Sequence, residues 1–319
     1  MNRTTIALIF FTAALFAAGS SVAQDFPSKP IRIIVADTPA GGADTHARIL
    51  SSAMAPILGQ PVVVENKPGA AYAIGYEYVA KRVPADGYTV ALVLVPGLVV
   101  LPLTAKNLNF DPLVDLPPFI GLTENRLVFG SSPKRPWTTF AELVAYGKAN
   151  PGKLTFGSNG VLTQIINEAI AKRFGFKILV VPFSSGGSLM QAVIANQVDT
   201  TFVSAASARS MGENLRVLTL TGAKRAAEYP DVPTFRELGM DNLQGLAYSM
   251  NAPVGTPSAA LEKLHAAASQ ALKQPDVVAR IGKLNTEIVE LSPEAARRSL
   301  VQQAKFYADL AREIGIKPE

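Results

Sequence analysis

The sequence has no cysteine, one tryptophan and two histidines among 319 residues, and only 17% of its residues are charged. Without cysteine, neither a disulfide bond nor a thiolate metal site can form. The lack of free thiols also suits an oxidising compartment outside the cytoplasm. His46 and His265 lie far apart in the sequence, each within a predicted helix. Because a catalytic triad or a metal site needs several groups in strict geometry, this arrangement favours surface or helix-packing roles for both histidines, with contact to a ligand or a capping role as the alternative for His46.

Motifs that bind nucleotides or activate a serine are missing as well. The patterns G-x-G-x-x-G, G-x-x-x-x-G-K-[ST] and G-x-S-x-G do not occur, and the carboxylates form no dense cluster. The formal net charge is +5, and the basic residues are scattered without runs or interleaved aromatic residues. This pattern argues against nucleic acid as a partner. We therefore predict no catalytic residue, no cofactor and no metal.

The first 23 residues have the pattern of an export signal. Arg3 precedes an apolar run over residues 6–18, and the small residues Ser21 and Ala23 suit cleavage after Ala23, with Gln24 as the first mature residue. An uncleaved anchor is the alternative, but the run is shorter than the ~20 residues that a membrane-spanning helix needs. We therefore expect a mature, exported protein.

A strand, a glycine turn and a helix are predicted for residues 31–58. The β-branched run over residues 31–35 indicates a buried strand, and apolar residues recur at helical spacing as far as Leu58. Gly41 and Gly42 lie between them, where a ligand can approach the backbone and the first N–H groups of the helix. This turn is predicted to bind an anion. The alternative is an ordinary turn with Asp44 as the N-cap.

A second turn of the same kind is predicted nearby. Residues 61–65 form a short apolar strand, residues 69–72 a glycine-containing turn, and a helix begins near Ala73. Because parallel strands end at the same edge of a sheet, both turns are expected to face one crevice, where ligands of α/β proteins bind.

The rest of the chain alternates short strands with helices. Strands are predicted at 154–156 and 178–181, each followed by a turn rich in Ser and Gly and then by a helix. This alternation predicts parallel α/β sheets. Residues 96–118 and 248–253 lack clear periodicity and are predicted to cross between two lobes. With 48% hydrophobic residues, the chain can form two cores.

Several short motifs together resemble the solute receptors of tripartite tricarboxylate transporters, the Bordetella uptake gene family. The matching landmarks are Pro39-Ala40-Gly41-Gly42 with Asp44, Gly59-Gln60-Pro61-Val62-Val63-Val64-Glu65-Asn66-Lys67-Pro68-Gly69, Pro84-Ala85-Asp86-Gly87-Tyr88-Thr89, Asn150-Pro151-Gly152-Lys153-Leu154, Gln197-Val198-Asp199 and Pro230-Asp231-Val232-Pro233-Thr234. The resemblance covers nearly all of the mature chain. Any single landmark would be weak, but the set is specific.

The resemblance implies a two-lobed periplasmic binding protein of the Venus flytrap type, type II-like, with an α/β fold and a hinge of two crossing segments. It implies a signal peptide over residues 1–23, a first lobe of residues 24–125 and 250–319, and a second lobe of residues 126–249. Such receptors capture a small carboxylate and deliver it to the large and small subunits of a membrane permease. The implied ligand-binding residues of the first lobe are Thr38, Pro39, Ala40, Gly41, Gly42, Asp44, Gly69, Ala70, Ala71 and Tyr72. Those of the second lobe are Ser158, Asn159, Thr163, Gln164, Phe183, Ser184, Ser185, Gly186 and Ser204.

The sequence departs from the family pattern at three places. Residues 70–73 place bulk and an aromatic ring where the family commonly has glycine, residues 95–101 are apolar where it has Ser, Thr and Asn, and residues 203–206 lack its acidic group. The missing acid argues against an amino-acid ligand. Apolar replacements favour an apolar or aromatic carboxylate over citrate, since buried polar groups without partners are costly. The alternatives are that these substitutions lie off the pocket or weaken binding.

Two further functions are considered. The receptor could present its ligand to a sensor kinase instead of a permease. An exported hydrolase on the same fold is the alternative from another class, and it would need an activated nucleophile such as Ser158 or Ser185.

Overall fold

The computed structural model describes residues 26–315, except residues 106, 184, 223, 241, 242, 244 and 285. The predicted signal peptide and its cleavage site lie outside these residues. Within the described part, no helix is long and apolar enough to span a bilayer.

Eleven strands of the described residues form two sheets. The strands are β1 Ile31–Val35, β2 Val62–Asn66, β3 Thr89–Leu94, β4 Pro118–Asn125, β5 Leu127–Ser131, β6 Leu154–Ser158, β7 Ile178–Pro182, β8 Thr200–Ser204, β9 Arg216–Leu220, β10 Leu246–Asn251 and β11 Thr286–Leu291. The first sheet has the order β11-β4-β10-β3-β1-β2, and the second has the order β7-β6-β8-β5-β9. Each lobe is therefore built on one sheet.

Ten α-helices of the described residues cover these sheets. They are α1 Gly42–Leu58, α2 Ala73–Lys81, α3 Val95–Thr104, α4 Phe140–Ala149, α5 Val161–Phe174, α6 Gly186–Ile194, α7 Ala205–Met211, α8 Ser258–Leu272, α9 Pro275–Lys283 and α10 Pro293–Ile314. Short 3-10 turns lie at Ala70–Tyr72 and Gly212–Asn214. The α/β fold with two lobes agrees with the expectation from the sequence.

Both sheets are mixed, so the prediction of parallel sheets is correct for only part of each sheet. Strands β1, β2 and β3 pair in parallel, as do β6, β7 and β8. Strand β10 pairs antiparallel with β3 and β4, and β11 pairs antiparallel with β4. Strand β5 is antiparallel to β8 and β9. Strands β5 and β10 are each antiparallel to both of their neighbours and enter their sheets from the other lobe with no helix among the described residues before them, whereas helices precede β9 and β11.

The two predicted crossing segments are also corrected. Residues 96–118 begin within helix α3, which has Pro96 in its first turn and is buried from Val95 to Leu101. A helix that is apolar on every side has no periodic pattern to detect. Residues 248–253 begin within strand β10. The chain instead passes from the first sheet to the second at Arg126 and returns between Leu220 and Leu246.

Helix α10 packs against both halves of the molecule. It contacts α3 and β4 of the first sheet's lobe and α5 of the second. Tyr307 and Leu310 of α10 are buried in a core that also contains Leu101 of α3 and Ile166 of α5. This helix therefore joins the apolar cores of the two lobes, while the proposed lobe bounds remain a prediction.

Candidate functional site

A cavity of about 840 Å³ lies between the two lobes. Its first-lobe wall consists of the 3-10 turn at Ala70–Tyr72, Leu94, part of helix α3 and Leu246 of β10. The second-lobe wall consists of residues at the N-termini of α5, α6 and α7 together with strand residues of β8 and Leu127 of β5. No charged side chain occurs among the described residues that line it. The cavity is large enough for a small organic ligand.

Tyr72 is the most prominent side chain of the first-lobe wall. Its ring lies against α3, where a Cβ on Gly97 would be 3.0 Å from ring atoms Cδ2 and Cε2. It also stacks on Tyr76 with ring centroids 6.0 Å apart. The hydroxyl of Tyr76 accepts a hydrogen bond of 3.0 Å from the backbone N–H of Leu94. The absence of a side chain at Gly97 thus makes room for the ring.

The backbone that presents Tyr72 is unusual. Ala70, Ala71 and Tyr72 all have positive φ angles, of 46°, 48° and 81°. Non-glycine residues rarely adopt this left-handed region, because Cβ approaches the carbonyl oxygen, at a cost of roughly 1–2 kcal/mol per residue. Strain of this kind occurs often at ligand sites. The turn therefore holds Tyr72 at the rim of the cavity although its backbone adopts φ angles that non-glycine residues disfavour.

Burial raises the pKa of the Tyr72 phenol, and the nearby negative charge of Asp37 raises it further. The pKa of Tyr248 is raised mainly by burial and also by the neighbouring Tyr72 and Asp37. Both phenols therefore stay protonated at neutral pH, and they lie near one carboxylate.

Asp44 organises the first glycine turn through its own carboxylate. The residue is 2% exposed, and its side chain accepts hydrogen bonds from Ala40 N at 3.0 Å and Asn66 Nδ2 at 2.9 Å. Arg48 adds two contacts of 2.9 Å. The hydrogen bond from Arg48 is the main cause that lowers the pKa of Asp44. Asp44 is not the N-cap considered as an alternative, because helix α1 begins at Gly42 with Gly41 as its cap.

The two glycines of this turn lie against protein side chains. A Cβ on Gly41 would collide with the carboxylate of Asp37, and one on Gly42 would lie 2.7 Å from the Tyr248 hydroxyl oxygen. His46 completes the arrangement, with Nδ1 at 2.7 Å from the Gly42 carbonyl oxygen and its ring stacked on Tyr248 at 4.3 Å. Burial lowers the pKa of His46, so the imidazole is neutral at neutral pH.

The second-lobe turns contain neutral polar groups instead. The Ser158 hydroxyl lies 2.8 Å from both the Gly160 carbonyl oxygen and Thr163 Oγ1. Ser185 caps α6 by accepting a hydrogen bond from Ser188 N at 3.2 Å. Ser204 caps α7 in the same way, accepting from Ser207 N at 3.1 Å. Hydroxyl and amide groups thus surround three helix N-termini at one side of the cavity.

The cavity brings together seven of the residues predicted to bind ligand. These are Ala70, Ala71, Tyr72, Asn159, Thr163, Gly186 and Ser204. Outside its lining lie Thr38, Pro39, Ala40, Gly41, Gly42, Asp44, Gly69, Ser158, Gln164, Phe183 and Ser185, while Ser184 lies outside the described residues. No ligand contact tests these assignments, so they stay predictions.

Sequence reasoning did not include several lining residues. They are Leu94, Gly97, Val100, Leu101, Thr104, Ala105, Leu127, Gly160, Val161, Leu162, Met190, Phe202, Val203, Ser207 and Leu246. The apolar run at 95–101 departs from the family pattern. Because it was predicted to be part of a crossing segment, the helix that it forms was not predicted. In the described part of the chain, no three His, Asp or Glu side chains come together to hold a metal ion.

The sequence of the chain is similar to those of known proteins. Residues 46–316 match the family described as the tripartite tricarboxylate transporter family receptor. The chain is also 30% identical over 329 residues to protein BugT of Bordetella pertussis, and the match covers 99% of each chain. The family match begins after β1, and both matches include the remaining strands of the two sheets and the described residues that line the cavity.

Two solved structures that contain ligands are similar in fold. One is a Rhodopseudomonas palustris protein solved with adipate, with 25% identity, a TM-score of 0.76 and coverage of 92% of this chain and 100% of the other. The second is MatC from Rhodopseudomonas palustris with bound malate, with 27% identity, a TM-score of 0.73 and coverage of 89% and 99%. The fold described above is thus shared with proteins that bind small carboxylates.

Proposed function

The chain belongs to the tripartite tricarboxylate transporter receptor family, and from that premise we propose that its cavity binds a small carboxylate with an apolar or aromatic body. Members of this family are solute-binding receptors, so the chain is a receptor and not an enzyme, and the alternative of an exported hydrolase is excluded. The identity of the hydrocarbon part and the partner are the new elements of the proposal.

The lining of the cavity is the observation that carries this proposal. Tyr72, the apolar face of α3 and Phe202 supply hydrocarbon surface, and charged side chains are missing from the described lining. Citrate has three carboxylates that would need charged or hydrogen-bonded partners when buried. An acid with one apolar or aromatic body buries hydrocarbon against this wall instead.

Capture would proceed by closure of the two lobes around the ligand. Because the cavity draws its lining from both sheets, a ligand that contacts both walls favours the closed state over the open one. Hinged closure of this kind is known for periplasmic binding proteins. The links at Arg126 and between Leu220 and Leu246 are the segments about which the lobes would move.

We place the mature protein in the periplasm and name a two-subunit membrane permease as its partner. The export pattern of residues 1–23 and the family of transporter receptors support this location and partner. The permease would recognise the closed, liganded shape and accept the carboxylate from it.

Thermal unfolding of the chain from Gln24 onward tests the proposal. The panel contains aromatic acids, aliphatic mono- and dicarboxylates, citrate and amino acids. A ligand at ~100 times its Kd adds about 2.7 kcal/mol to the free energy of unfolding, a shift of several degrees. We expect apolar or aromatic acids to act and amino acids to have no effect.

Substitution of Tyr72 tests whether the acid that stabilises the protein binds in the cavity. Tyr72→Ala should weaken binding of an aromatic acid at least tenfold, because it removes the largest apolar surface of the first-lobe wall. Tyr78→Ala is the matched control, since Tyr78 lies on α2 but does not line the cavity. Stabilisation only by citrate, or equal effects of the two substitutions, would contradict the proposed ligand class.

A further inference from the structure

The link between β4 and β5 separates the ligand cavity from a second, smaller cleft. This second cleft, which we call the hinge cleft, has a volume of about 410 Å³. Arg126 and Val128 line the hinge cleft, whereas Leu127 between them lines the ligand cavity. Because successive residues of an extended chain point to opposite sides, the two clefts lie on opposite faces of the link.

The hinge cleft also lies between the two halves of the molecule. Its walls include Thr286 and Glu287 of β11 in the first sheet, and Arg209 of α7 and Tyr229 on the side of the second sheet. A rotation about the links that narrows the ligand cavity therefore widens the hinge cleft. Contacts that span the hinge cleft thus oppose closure, whereas a ligand that contacts both walls of the cavity favours it.

The side chain of Arg126 spans the hinge cleft. Its Nε and Nη2 atoms lie 3.1 and 3.0 Å from Glu287 Oε1, and Nη1 donates a hydrogen bond of 2.7 Å to the carbonyl oxygen of Lys224. Lys224 belongs to the loop between Leu220 and Thr234, which form a bridge at the end of β9. The guanidinium group therefore connects an edge strand of the first sheet to a loop of the second.

The backbone around Arg126 is attached to the second sheet. The carbonyl oxygen of Arg126 accepts a hydrogen bond of 3.2 Å from Ala205 N at the start of α7. The next residue, Leu127, donates from its N–H to Thr221 Oγ1 at 2.9 Å. A Cβ on Gly222 would lie 3.6 Å from Arg126 Cζ, so the guanidinium group lies close to this part of the return link. A rotation of the lobes therefore changes the contact with Glu287 and preserves the others.

We infer that Arg126 is a positioning residue for ligand capture, whose contact with Glu287 keeps the hinge cleft narrow and thereby opposes closure of the ligand cavity. This inference rests on the proposed receptor function and concerns how tightly its site binds. The side chains of Arg126 and Glu287 are 19% and 61% exposed. An ion pair of this exposure has a modest effect, so we expect its loss to raise the ratio of closed to open molecules about threefold.

Distances between spin labels test the inference without any ligand. The chain has no cysteine, so Val63→Cys and Leu179→Cys create two unique labelling sites at exposed positions of the edge strands β2 and β7. Double electron–electron resonance measures the distance between them, which shortens on closure. In this background, Glu287→Gln should increase the population at the shorter distance about threefold.

The second glutamate of the hinge cleft provides a matched control. Glu228 pairs with Arg209 at 3.0 Å, and its side chain is 57% exposed. Both residues belong to the side of the second sheet, so their contact does not change when the lobes rotate. Glu228→Gln should therefore leave the distance distribution as it is in the labelled parent.

Isothermal titration calorimetry with benzoate and with adipate gives a second readout. The apparent Kd varies inversely with the population of the binding-competent state, so Glu287→Gln should lower the Kd of an acid that binds about threefold. Arg126→Gln should have a similar effect, and the double variant no larger one, because both substitutions remove the same contact. Damage to the fold would raise the Kd instead.

Two outcomes separate this inference from the proposed function. An unchanged distance distribution together with an unchanged or raised Kd in Glu287→Gln would overturn the role of Arg126 and leave the receptor function intact. If no carboxylate of the thermal panel binds, the proposed function fails, and the distance distributions of the ligand-free variants then decide the role of Arg126.

Discussion

The turn after β1 in the first lobe and the turn after β6 in the second lobe have the same strand-to-helix connectivity but different side chains. Each connects the carboxyl end of a parallel strand to the N-terminus of a helix through glycine. The first turn is occupied by the carboxylates of Asp37 and Asp44. The second contains Ser158, Asn159 and Thr163, all without charge, and two of them line the cavity.

The comparison shows that turns with similar backbone geometry can contain side chains of different charge. A helix N-terminus attracts negative charge whether that charge belongs to a ligand or to the protein. In the first turn, two protein carboxylates already lie beside the helix start. In the second turn, hydroxyl and amide groups satisfy one another while the cavity stays open beside them. The side chains therefore give two turns of similar backbone geometry different electrostatic surroundings.

The largest expected difference between the two turns is in the unfolding free energy that is lost when the main polar residue of each turn is replaced by alanine. Asp44→Ala removes a buried carboxylate that accepts from Ala40, Asn66 and Arg48. We expect a loss of about 3 kcal/mol of unfolding free energy, because several buried donors lose a charged partner. Ser158→Ala removes a neutral hydroxyl that contacts Thr163 and should cost about 1 kcal/mol.

Urea unfolding at neutral pH measures both values, and the wild-type chain is the reference. Equal losses for the two variants would show that the charge of Asp44 adds nothing to the first turn. A loss in Asp44→Ala smaller than that in Ser158→Ala would reverse the comparison.

The glycines of the two turns are required for different reasons. Gly41 has a φ of −67°, which any residue can adopt, but a Cβ there would collide with Asp37. Gly160 has a φ of 156°, and no atom lies within 4 Å of the position that its Cβ would take. Both alanine substitutions should destabilise the protein by about 2 kcal/mol, the first through crowding and the second through backbone strain.

A second substitution separates these two causes. Asp37→Ala removes the group that collides with Gly41→Ala, so the double variant should recover about 1 kcal/mol relative to the sum of the single effects. In combination with Gly160→Ala, Asp37→Ala should be additive within about 0.5 kcal/mol. Additivity in both cycles would mean that Asp37 does not constrain the first turn.

The elements that were predictable from the sequence are those with a local pattern. Strand β1 and helix α1 follow from a β-branched run and a helical period, and the same holds for β6 and α5. Helix α3 was missed because apolar residues on every side remove the period. Strand β11 was missed because its pairing with β4 is a long-range contact interrupted by a register shift.

The candidate site was predictable only where a turn carries it. Tyr72 and Asn159 belong to turns that the strand pattern identifies, Thr163 lies in the first turn of the helix that follows, and all three line the cavity. Gly97 and Leu246 line it because distant segments meet there. Their contribution depends on how the lobes pack, which no local spacing encodes.

The smallest expected difference between the two turns is in how their contributions to the unfolding free energy depend on pH. The hydrogen bond from Arg48 lowers the pKa of Asp44 in the folded state. A lowered folded-state pKa stabilises the protein above the unfolded-state value of about 3.9, and this stabilisation is lost as the pH falls through the folded-state value. The difference in unfolding free energy between the wild type and Asp44→Asn should therefore shrink below about pH 4. The difference for Ser158→Ala should stay constant, because the second turn has no carboxylate among the described residues that it contacts. Urea titrations between about pH 3 and pH 7 measure both differences. A pH-independent difference for Asp44→Asn would show that the protonated and ionised forms of this carboxyl group stabilise the fold equally. In that case, charge would not distinguish the two turns.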